Sequence, residues 1–322
     1  MKDQTSDKTR ESYQQFLEER HSGFNTPIEV IKTAVQKATH SVPTESEKII
    51  AGEINEVYSI KTQDGNEVIV RISHREKPRF KAEKFALDKA RDTGVPTPKV
   101  LLIDQDICVE EKLPGEQLSR LPSDGSDERT ESLVSKAGSI LSKIHSVEVD
   151  GFGWLDEKGK GFLKTWEDYM LQDLEKRDFF TKIAIKHKLD PIYIKRAFEL
   201  LIKHRRYYSG IKPKLIHGDF SPKHLLVEDS QITGVVDMED CKGGDIARDF
   251  AWWEYFHGDR FPIEWLMKGY DSSEVLTKEF RIRMNLCRLQ MGVTLLYWYD
   301  YTQNQNGINH VREKLVEDVS RF

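Results

Sequence analysis

Residues 215–227 read Leu-Ile-His-Gly-Asp-Phe-Ser-Pro-Lys-His-Leu-Leu-Val, and this stretch decides the fold. An apolar pair leads into a polar loop that ends at Asp219, a Ser-Pro turn follows, and the chain then becomes apolar again. The pattern predicts a strand, a tight loop and a second strand. A further short apolar run ends in Asp237. We expect the two carboxylates to face one small volume, where they repel each other unless a cation or a proton lies between them.

Phosphoryl transfer needs two such carboxylates, since one orients a hydroxyl nucleophile and the other holds Mg²⁺ against the nucleotide phosphates. The catalytic loop of kinases spaces these groups as His-x-Asp, a metal ligand, and a strand that ends in Asp. Asp219, His224 and Asp237 occupy the corresponding places here, with His224 where Asn is usual. An ordinary hairpin with polar tips is the alternative, and the presence of Asp237 favours the catalytic interpretation.

Composition limits the classes of protein that this chain can represent. Its 322 residues suffice for one large domain or two lobes, and 38% of them are hydrophobic. The net charge of −5 argues against a general nucleic-acid binder. No apolar stretch approaches the ~20 residues of a membrane span, so we expect no membrane partner.

The compartment is predicted from the termini and the cysteines. The segment 1–20 is polar and charged, without the apolar core of a signal peptide. Three widely spaced cysteines form neither a disulfide framework nor a zinc pattern. A reducing, cytoplasmic location is the simplest expectation.

Changes in periodicity divide the chain into three segments. Residues 1–47 are predicted to form N-terminal helices without chemistry of their own. Residues 48–113 contain short β-branched runs around an Asp-Gly turn, which predicts a small antiparallel lobe with one helix at 78–92. Residues 114–322 are mostly of helical spacing around a few short strands.

Four residues of the β lobe form a candidate nucleotide-binding set. Gly52 and Asn55 lie in a predicted turn between strands, which in a nucleotide-binding lobe folds over the phosphates, although a single glycine also fits an ordinary hairpin. Arg71 lies inside an apolar strand, where a cation is costly unless it is paired, and Glu83 on the next helix is the candidate partner. An edge strand with Arg71 in solvent is the alternative.

Taken together, these residues resemble the aminoglycoside phosphotransferase and choline kinase-like superfamily, from about residue 48 to residue 301. The order of motifs looks most like the branch that contains hygromycin B phosphotransferases. The specific parts of the resemblance are the segments 69–72, 94–98, 111–115, 151–154 and 217–219 and the stretch from Val236-Asp237 through Gly244-Asp245 to Asp249.

The resemblance implies an α+β, bilobal protein-kinase-like fold with ATP or GTP in the cleft as co-substrate. The strand end at Glu110, Glu111 and Lys112 would lie beside the nucleotide base. By motif position, Asp219 is the catalytic carboxylate and Asp237 the principal Mg²⁺ ligand. His217 and Asp245 are expected to support the catalytic loop from behind through hydrogen bonds.

His224 departs from the usual Asn of the superfamily, and macrolide kinases look similar in this respect. Mg²⁺ prefers oxygen ligands, whereas an imidazole nitrogen suits Mn²⁺ better. Mg²⁺ is the ion that the resemblance implies, and the imidazole of His224 makes Mn²⁺ the second candidate. A loop histidine without a metal is the structural alternative.

The acceptor is expected to be a small hydroxylated molecule. Residues 228–260 hold nine acidic side chains against three basic ones, which favours a cationic substrate such as an aminoglycoside, or else marks a solvated face. The competing function is a catalytically weak kinase-like module that binds nucleotide. A protein kinase is disfavoured, because too few residues separate Asp237 from Asp245 for an activation loop.

Overall fold

The N-terminal β lobe (N-lobe) is built on the hairpin whose Asp-Gly turn lies at residues 64–65. The computed structural model describes residues 14–50, 52–121 and 128–322. Every strand pair of the five-stranded sheet is antiparallel, and the strand order is β1-β2-β3-β5-β4. The elements of the N-lobe and of the N-terminal segment are α1 (residues 14–21), α2 (Ile28–Thr39), β1 (Pro43–Ile49), β2 (Asn55–Thr62), β3 (Glu67–Ser73), α3 (Phe80–Asp92), β4 (Val100–Asp104) and β5 (Ile107–Glu111).

The first strand corrects the predicted boundary between the N-terminal helices and the β lobe. Strand β1 begins at Pro43 and pairs along its length with β2, so the predicted start at residue 48 is too late. The strand was missed because its sequence Pro-Thr-Glu-Ser-Glu-Lys-Ile has no apolar alternation. It is an exposed edge strand, where polar side chains are the rule.

The connection between the lobes follows β5 and passes through Gly115. Strand β6 (Glu116–Gln117) already belongs to the C-lobe, where it pairs with β10 (Leu225–Glu228). Gly115 has φ +105°, and a Cβ there would lie 2.8 Å from the carbonyl oxygen of Val227. Only glycine fits, because both the backbone conformation and the close approach exclude a side chain.

The C-lobe surrounds the catalytic segment with helices and two small sheets. Its sheets have the orders β11-β10-β6 and β8-β7-β12-β9. Its remaining elements are α4 (Glu128–His145), β7 (Phe152–Leu155), β8 (Gly161–Leu163), α5 (Trp166–Leu171), α6 (Arg177–Lys186), α7 (Ile192–Lys203), β9 (Lys214–Ile216), β11 (Gln231–Val235), β12 (Lys242–Gly244), α8 (Ala247–His257), α9 (Ile263–Gly269), α10 (Lys278–Thr302) and α11 (Gln305–Ser320).

Most of the aromatic side chains on α8 are core residues, as the sequence predicts. Phe250, Trp253 and Tyr255 are buried, and Phe250 packs edge-on against Phe280 of α10. This packing makes α8 a rigid support for the loop that follows β9. In the described part of the chain, no helix has the length and apolar character needed to cross a membrane.

Candidate active site

The loop after β9 is held from behind by the carboxylate of Asp249. The backbone N–H groups of His217 and Gly218 donate to its two oxygens, each at 2.8 Å, and His145 Nε2 donates at 3.0 Å. Asp249 is fully buried, and burial alone would raise its pKa, but these hydrogen bonds and the charge of His145 hold the pKa below its usual range. The carboxylate therefore stays ionised and fixes the direction in which the loop leaves β9.

This finding corrects the role assigned to Asp245. The Asp245 carboxylate accepts from the N–H of Ala247 and lies 3.2 Å from Arg283 Nε, so it supports the start of α8 and not the catalytic loop. Asp249 lies four residues further on, in the first turn of α8, whereas Asp245 precedes the helix, and it is the Asp249 carboxylate that the loop N–H groups reach. Sequence spacing alone does not distinguish the two acidic residues.

At Gly218 the catalytic loop packs closely against the backbone of Asp240, in the segment between β11 and β12. The φ of Gly218 is +87°, and a Cβ would lie 2.0 Å from the carbonyl oxygen of Asp240. His217, expected to support the loop, does so: its Nε2 donates to the Val236 carbonyl at 3.2 Å, and its Nδ1 accepts from the N–H of Asp219. Two backbone segments that belong to different sheets are thereby joined.

Asp219 presents one oxygen that no donor in the described residues satisfies. Its Oδ2 lies 3.0 Å from Lys223 Nζ, whereas Oδ1 is buried without a hydrogen-bond partner there. Burial raises the pKa of Asp219, but Lys223 and then His224 outweigh that effect and keep the pKa below its ordinary value. An ionised carboxylate with a free acceptor oxygen can receive a hydrogen bond from a hydroxyl group.

His224 lies between the two carboxylates that the sequence predicts to converge. Its Nδ1 is 2.9 Å from the carbonyl oxygen of Asp219, and its Nε2 is 3.1 Å from Asp237 Oδ2. A carbonyl oxygen only accepts, so Nδ1 carries a proton, and a neutral ring then turns the lone pair of Nε2 towards a carboxylate oxygen. Two acceptors at this distance need a cation between them, which is either a second proton on the ring or a metal ion.

One pair of side chains, His224 and Asp237, could therefore bind a metal ion. In the described residues no three His, Cys, Asp or Glu side chains converge as a ligand set. The nitrogen of His224 and the oxygen of Asp237 nevertheless fit a divalent ion, whose remaining ligands would come from water and phosphates. Burial would raise the pKa of Asp237, but His224 and Arg71 hold that pKa well below its usual range.

Arg71 is enclosed by four carboxylates. Its guanidinium lies 2.7 Å from Glu83, 3.2 Å from Glu239, 3.3 Å from Asp237 and 3.8 Å from Glu110. The arginine is buried, so the alternative of an exposed edge-strand cation does not apply. Burial raises the pKa of Glu83 to about 8, because the attraction of Arg71 is offset by the neighbouring carboxylates.

Glu239 is a residue of the site that the sequence interpretation missed. It is buried, and its carboxylate accepts from Asn55 Nδ2 at 2.7 Å and lies 3.2 Å from Arg75 Nε. It thus connects the turn before β2 with the strand end that carries Asp237. The available signal was a second carboxylate two positions after Asp237, which the sequence interpretation used only as part of a regional charge balance.

The predicted phosphate turn is held by contacts from both ends of the chain. Gly52, with φ +76°, offers its carbonyl oxygen to His21 Nε2 of α1 at 2.9 Å. Arg20 donates to the carbonyl of Glu53, and Asn304, between α10 and α11, donates to the Glu53 side chain at 3.1 Å. The turn therefore contacts the C-lobe as well as the N-terminal helix.

The three residues predicted to lie beside a nucleotide base point in different directions. Glu110 is buried and faces Arg71. Glu111 lies 3.7 Å from Lys99, and Lys112 forms a 2.6 Å ion pair with Glu67, both at the surface. A contact of this strand end with the base therefore stays a prediction.

A comparison with known families assigns the chain. Residues 46–270 match the model of the APH family, described as the phosphotransferase enzyme family. The chain belongs to this family. Membership confirms the resemblance to the aminoglycoside phosphotransferase superfamily that the motifs indicate. In sequence, a 68-residue stretch is 32% identical to the uncharacterized protein YcbJ of Bacillus subtilis (strain 168), and it covers 21% of this chain and 22% of that protein.

Solved structures of phosphotransferases share the fold. APH(4)-Ia gives a TM-score of 0.73 at 18% identity, over 92% of this chain and 99% of that chain. The gentamicin complex of APH(2")-IIa gives 0.65 at 17% identity, over 91% and 96%. The macrolide 2'-phosphotransferase MphH from Brachybacterium faecium gives 0.61 at 18% identity, over 89% and 98%. These matches confirm the predicted α+β bilobal fold.

Replacement of Asp249 tests its support of the loop. Asp249→Asn keeps one acceptor oxygen but turns an amide N–H₂ towards a backbone donor, and we expect the free energy of unfolding to fall by about 2–4 kcal/mol. Denaturant titration followed by circular dichroism measures it. The matched control is Asp178→Asn, an exposed aspartate in the first turn of α6. Equal stability of the two variants would contradict the assigned role.

Proposed function

We propose that this chain transfers the γ-phosphoryl group of ATP or GTP to a hydroxyl group of a small, cationic or sugar-like substrate such as an aminoglycoside or a related metabolite. The observation that carries the proposal is the convergence of Asp219, His224 and Asp237 below Arg71, where the two lobes meet. A variant of the structurally similar APH(4)-Ia binds ADP and hygromycin B together, which supports a nucleotide and a hydroxylated acceptor in such a cleft.

Asp219 is the residue that handles the acceptor proton. Its free Oδ1 accepts a hydrogen bond from the hydroxyl and orients the oxygen towards the phosphorus atom. The transition state of phosphoryl transfer is loose, so the proton leaves late and a low pKa is no obstacle. Lys223, 3.0 Å from Oδ2, keeps the carboxylate ionised until then.

Asp237 and His224 are the residues that would hold the divalent ion. Such an ion supplies neutralisation of phosphate charge when bound. The side chains of the chain itself contribute position: the His217 ring ties the backbone before Asp237 to the catalytic loop, and Asp237 adopts φ +63°. A left-handed conformation at a non-glycine residue is held by its surroundings and is typical of functional positions.

Arg71 is the cation for the nucleotide phosphates, and the Glu239 carboxylate lies 3.2 Å from its guanidinium. Four carboxylates surround the guanidinium, so an added triphosphate meets repulsion unless one negative group withdraws. Glu239 is the group to exchange, because the turn that it contacts through Asn55 is the one predicted to cover the phosphates. The phosphates would then take the place of the Glu239 carboxylate beside Arg71.

A nucleotide-binding module with little catalysis is the second candidate function. The observation that favours it is the full occupation of Arg71 by protein carboxylates. Both candidates predict nucleotide binding, and only the kinase predicts a phosphorylated acceptor. A screen of aminoglycosides, macrolides, sugars and choline with ATP and GTP, in Mg²⁺ and in Mn²⁺, separates them by mass spectrometry.

Asp219→Asn tests the proposed base. The amide cannot take a proton, so we expect turnover to fall at least ~100-fold while nucleotide affinity stays within about twofold. Steady-state kinetics and titration with a fluorescent nucleotide measure the two quantities. Asp229→Asn, on the exposed β10–β11 hairpin, is the control. Undiminished turnover in Asp219→Asn would remove this residue from the reaction.

His224→Asn tests the metal site. An amide oxygen suits Mg²⁺ and an imidazole suits Mn²⁺, so we expect the ratio of kcat/KM in Mn²⁺ to that in Mg²⁺ to fall about tenfold. Mn²⁺ affinity measured by electron paramagnetic resonance should fall in parallel. The control His40→Asn alters an exposed residue with φ 59°, which asparagine tolerates. An unchanged metal ratio would leave His224 a structural residue.

Glu239→Gln tests the exchange of anions at Arg71. Removal of one buried negative charge beside the guanidinium should strengthen ATP binding at least about fivefold. Isothermal titration calorimetry with and without Mn²⁺ measures the affinity, and Glu228→Gln on the surface is the control. Weaker binding that appears only in the presence of Mn²⁺ would instead make Glu239 a metal ligand.

A further inference from the structure

We infer that a cavity of about 1010 Å³ beside the catalytic loop binds the acceptor, and that its ligand is a polyhydroxylated molecule without net charge. The inference rests on the proposed phosphoryl transfer and narrows its substrate class. The cavity has three walls: α1, the segment 117–120 that follows the interlobe connection, and residues 256–261 at the end of α8. This volume accommodates a molecule of one to several sugar rings.

The cavity lies next to the reacting group. The turn at Leu118–Arg120 packs against the turn Pro222–His224, which is part of the catalytic loop. On the opposite wall, burial and then the charge of Lys223 lower the pKa of His257 to about 3, although the negative charge of Asp219 opposes them. The neutral ring of His257 has both a donor and an acceptor for a hydroxyl group.

Three of the polar lining residues carry side-chain amides. Gln14 and Gln15 of α1 face the cavity together with Gln117 and Ser119 on the neighbouring wall. An amide both donates and accepts, as a hydroxyl group does, so such a lining matches a ligand rich in hydroxyl groups. Phe256 and Phe261 add apolar surface of the kind that packs against the C–H face of a sugar ring.

The charged groups of the lining balance. The acidic residues Glu18 and Asp259 stand against the basic residues Arg120 and Arg260. A site for a polycation would need an excess of negative charge. With no such excess, the lining selects a ligand that is neutral or zwitterionic.

The acidic surplus of residues 228–260 does not reach the cavity, which removes the reason to expect an aminoglycoside. Eight of its nine members make internal contacts or lie on an exposed hairpin. Asp237, Glu239 and Asp240 face Arg71 or Arg75, Asp245 faces Arg283, Asp249 holds the loop, Glu254 faces Arg281, Arg288 and Arg321, and Glu228 and Asp229 lie on the β10–β11 hairpin. Of the nine, Asp259 alone is among the described residues that line the cavity.

Helix α1 connects this cavity with the nucleotide turn. Its residues 14, 15 and 18 form a wall of the cavity, and two and three residues after Glu18, Arg20 and His21 hold the carbonyl groups of Glu53 and Gly52. A ligand that orders α1 therefore also steadies the turn predicted to cover the phosphates. The segment predicted to be without chemistry thus contributes to both binding sites.

Matched glutamine variants of the full chain test the inference. Acceptors of three kinds, neutral sugars and polyols, zwitterionic amino sugar acids, and polycationic aminoglycosides, are offered with ATP and Mn²⁺, and products are read by mass spectrometry. We expect a neutral or zwitterionic acceptor to be phosphorylated with a KM that is insensitive to ionic strength. Gln117→Ala and Gln15→Ala should each raise that KM at least about fivefold with kcat within about twofold, because they touch the ligand away from the reacting hydroxyl.

The control is Gln36→Ala, an exposed glutamine on α2 that lies outside the cavity lining, and its KM should stay unchanged. Preference for a polycation with a salt-sensitive KM, an unchanged KM in both cavity variants, or no acceptor from any of the three kinds would overturn the inference. In each of these outcomes, the wild-type chain could still transfer the γ-phosphoryl group of ATP to water. If Asp219→Asn abolishes that hydrolysis, the proposed phosphoryl-transfer centre is supported although the inference about the acceptor is wrong. Loss of nucleotide binding and hydrolysis altogether would overturn both.

Discussion

The hydrogen bonds between the backbone of the catalytic loop and the buried Asp249 carboxylate hold the loop that carries Asp219. They fix the N–H groups of His217 and Gly218 at 2.8 Å, and Asp219 follows directly. A carboxylate without water nearby accepts strong bonds from backbone donors, and its loss would leave those donors unpaired in the interior. These bonds stabilise the loop conformation in which Asp219 presents an oxygen without a partner among the described residues.

The second organising feature is a surplus of negative charge around one arginine. Four carboxylates share Arg71, and burial together with the repulsion of the neighbouring carboxylates raises the pKa of Glu83. Such a cluster is unfavourable when it is closed and becomes favourable when a divalent cation joins it. Under the proposed function, a site of this kind favours a nucleotide that brings its metal ion, because phosphates alone would add to the repulsion.

The cavity proposed for the acceptor has a different balance of charges. Its walls carry amides, aromatic rings and balanced charges, while the acidic residues of the same region are engaged in internal ion pairs. Charge counted along a sequence thus describes the ligand only after internal pairs have been subtracted. The family hosts several acceptor chemistries on one fold, so the lining of this cavity is a better guide to the substrate than membership is.

The sequence by itself determined the two lobes, the antiparallel hairpin, the catalytic loop and the pairing of Arg71 with Glu83, because each depends on local periodicity or on a short motif. Tertiary structure alone decided that Asp249 and not Asp245 supports the loop, since the first lies in the opening turn of α8 against the loop N–H groups and the second lies before the helix against Arg283. It also decided the place of Glu239, the start of β1 at Pro43 and the joining of α1 to the cavity. These depend on contacts between residues far apart in the chain, and a linear pattern carries no record of such contacts.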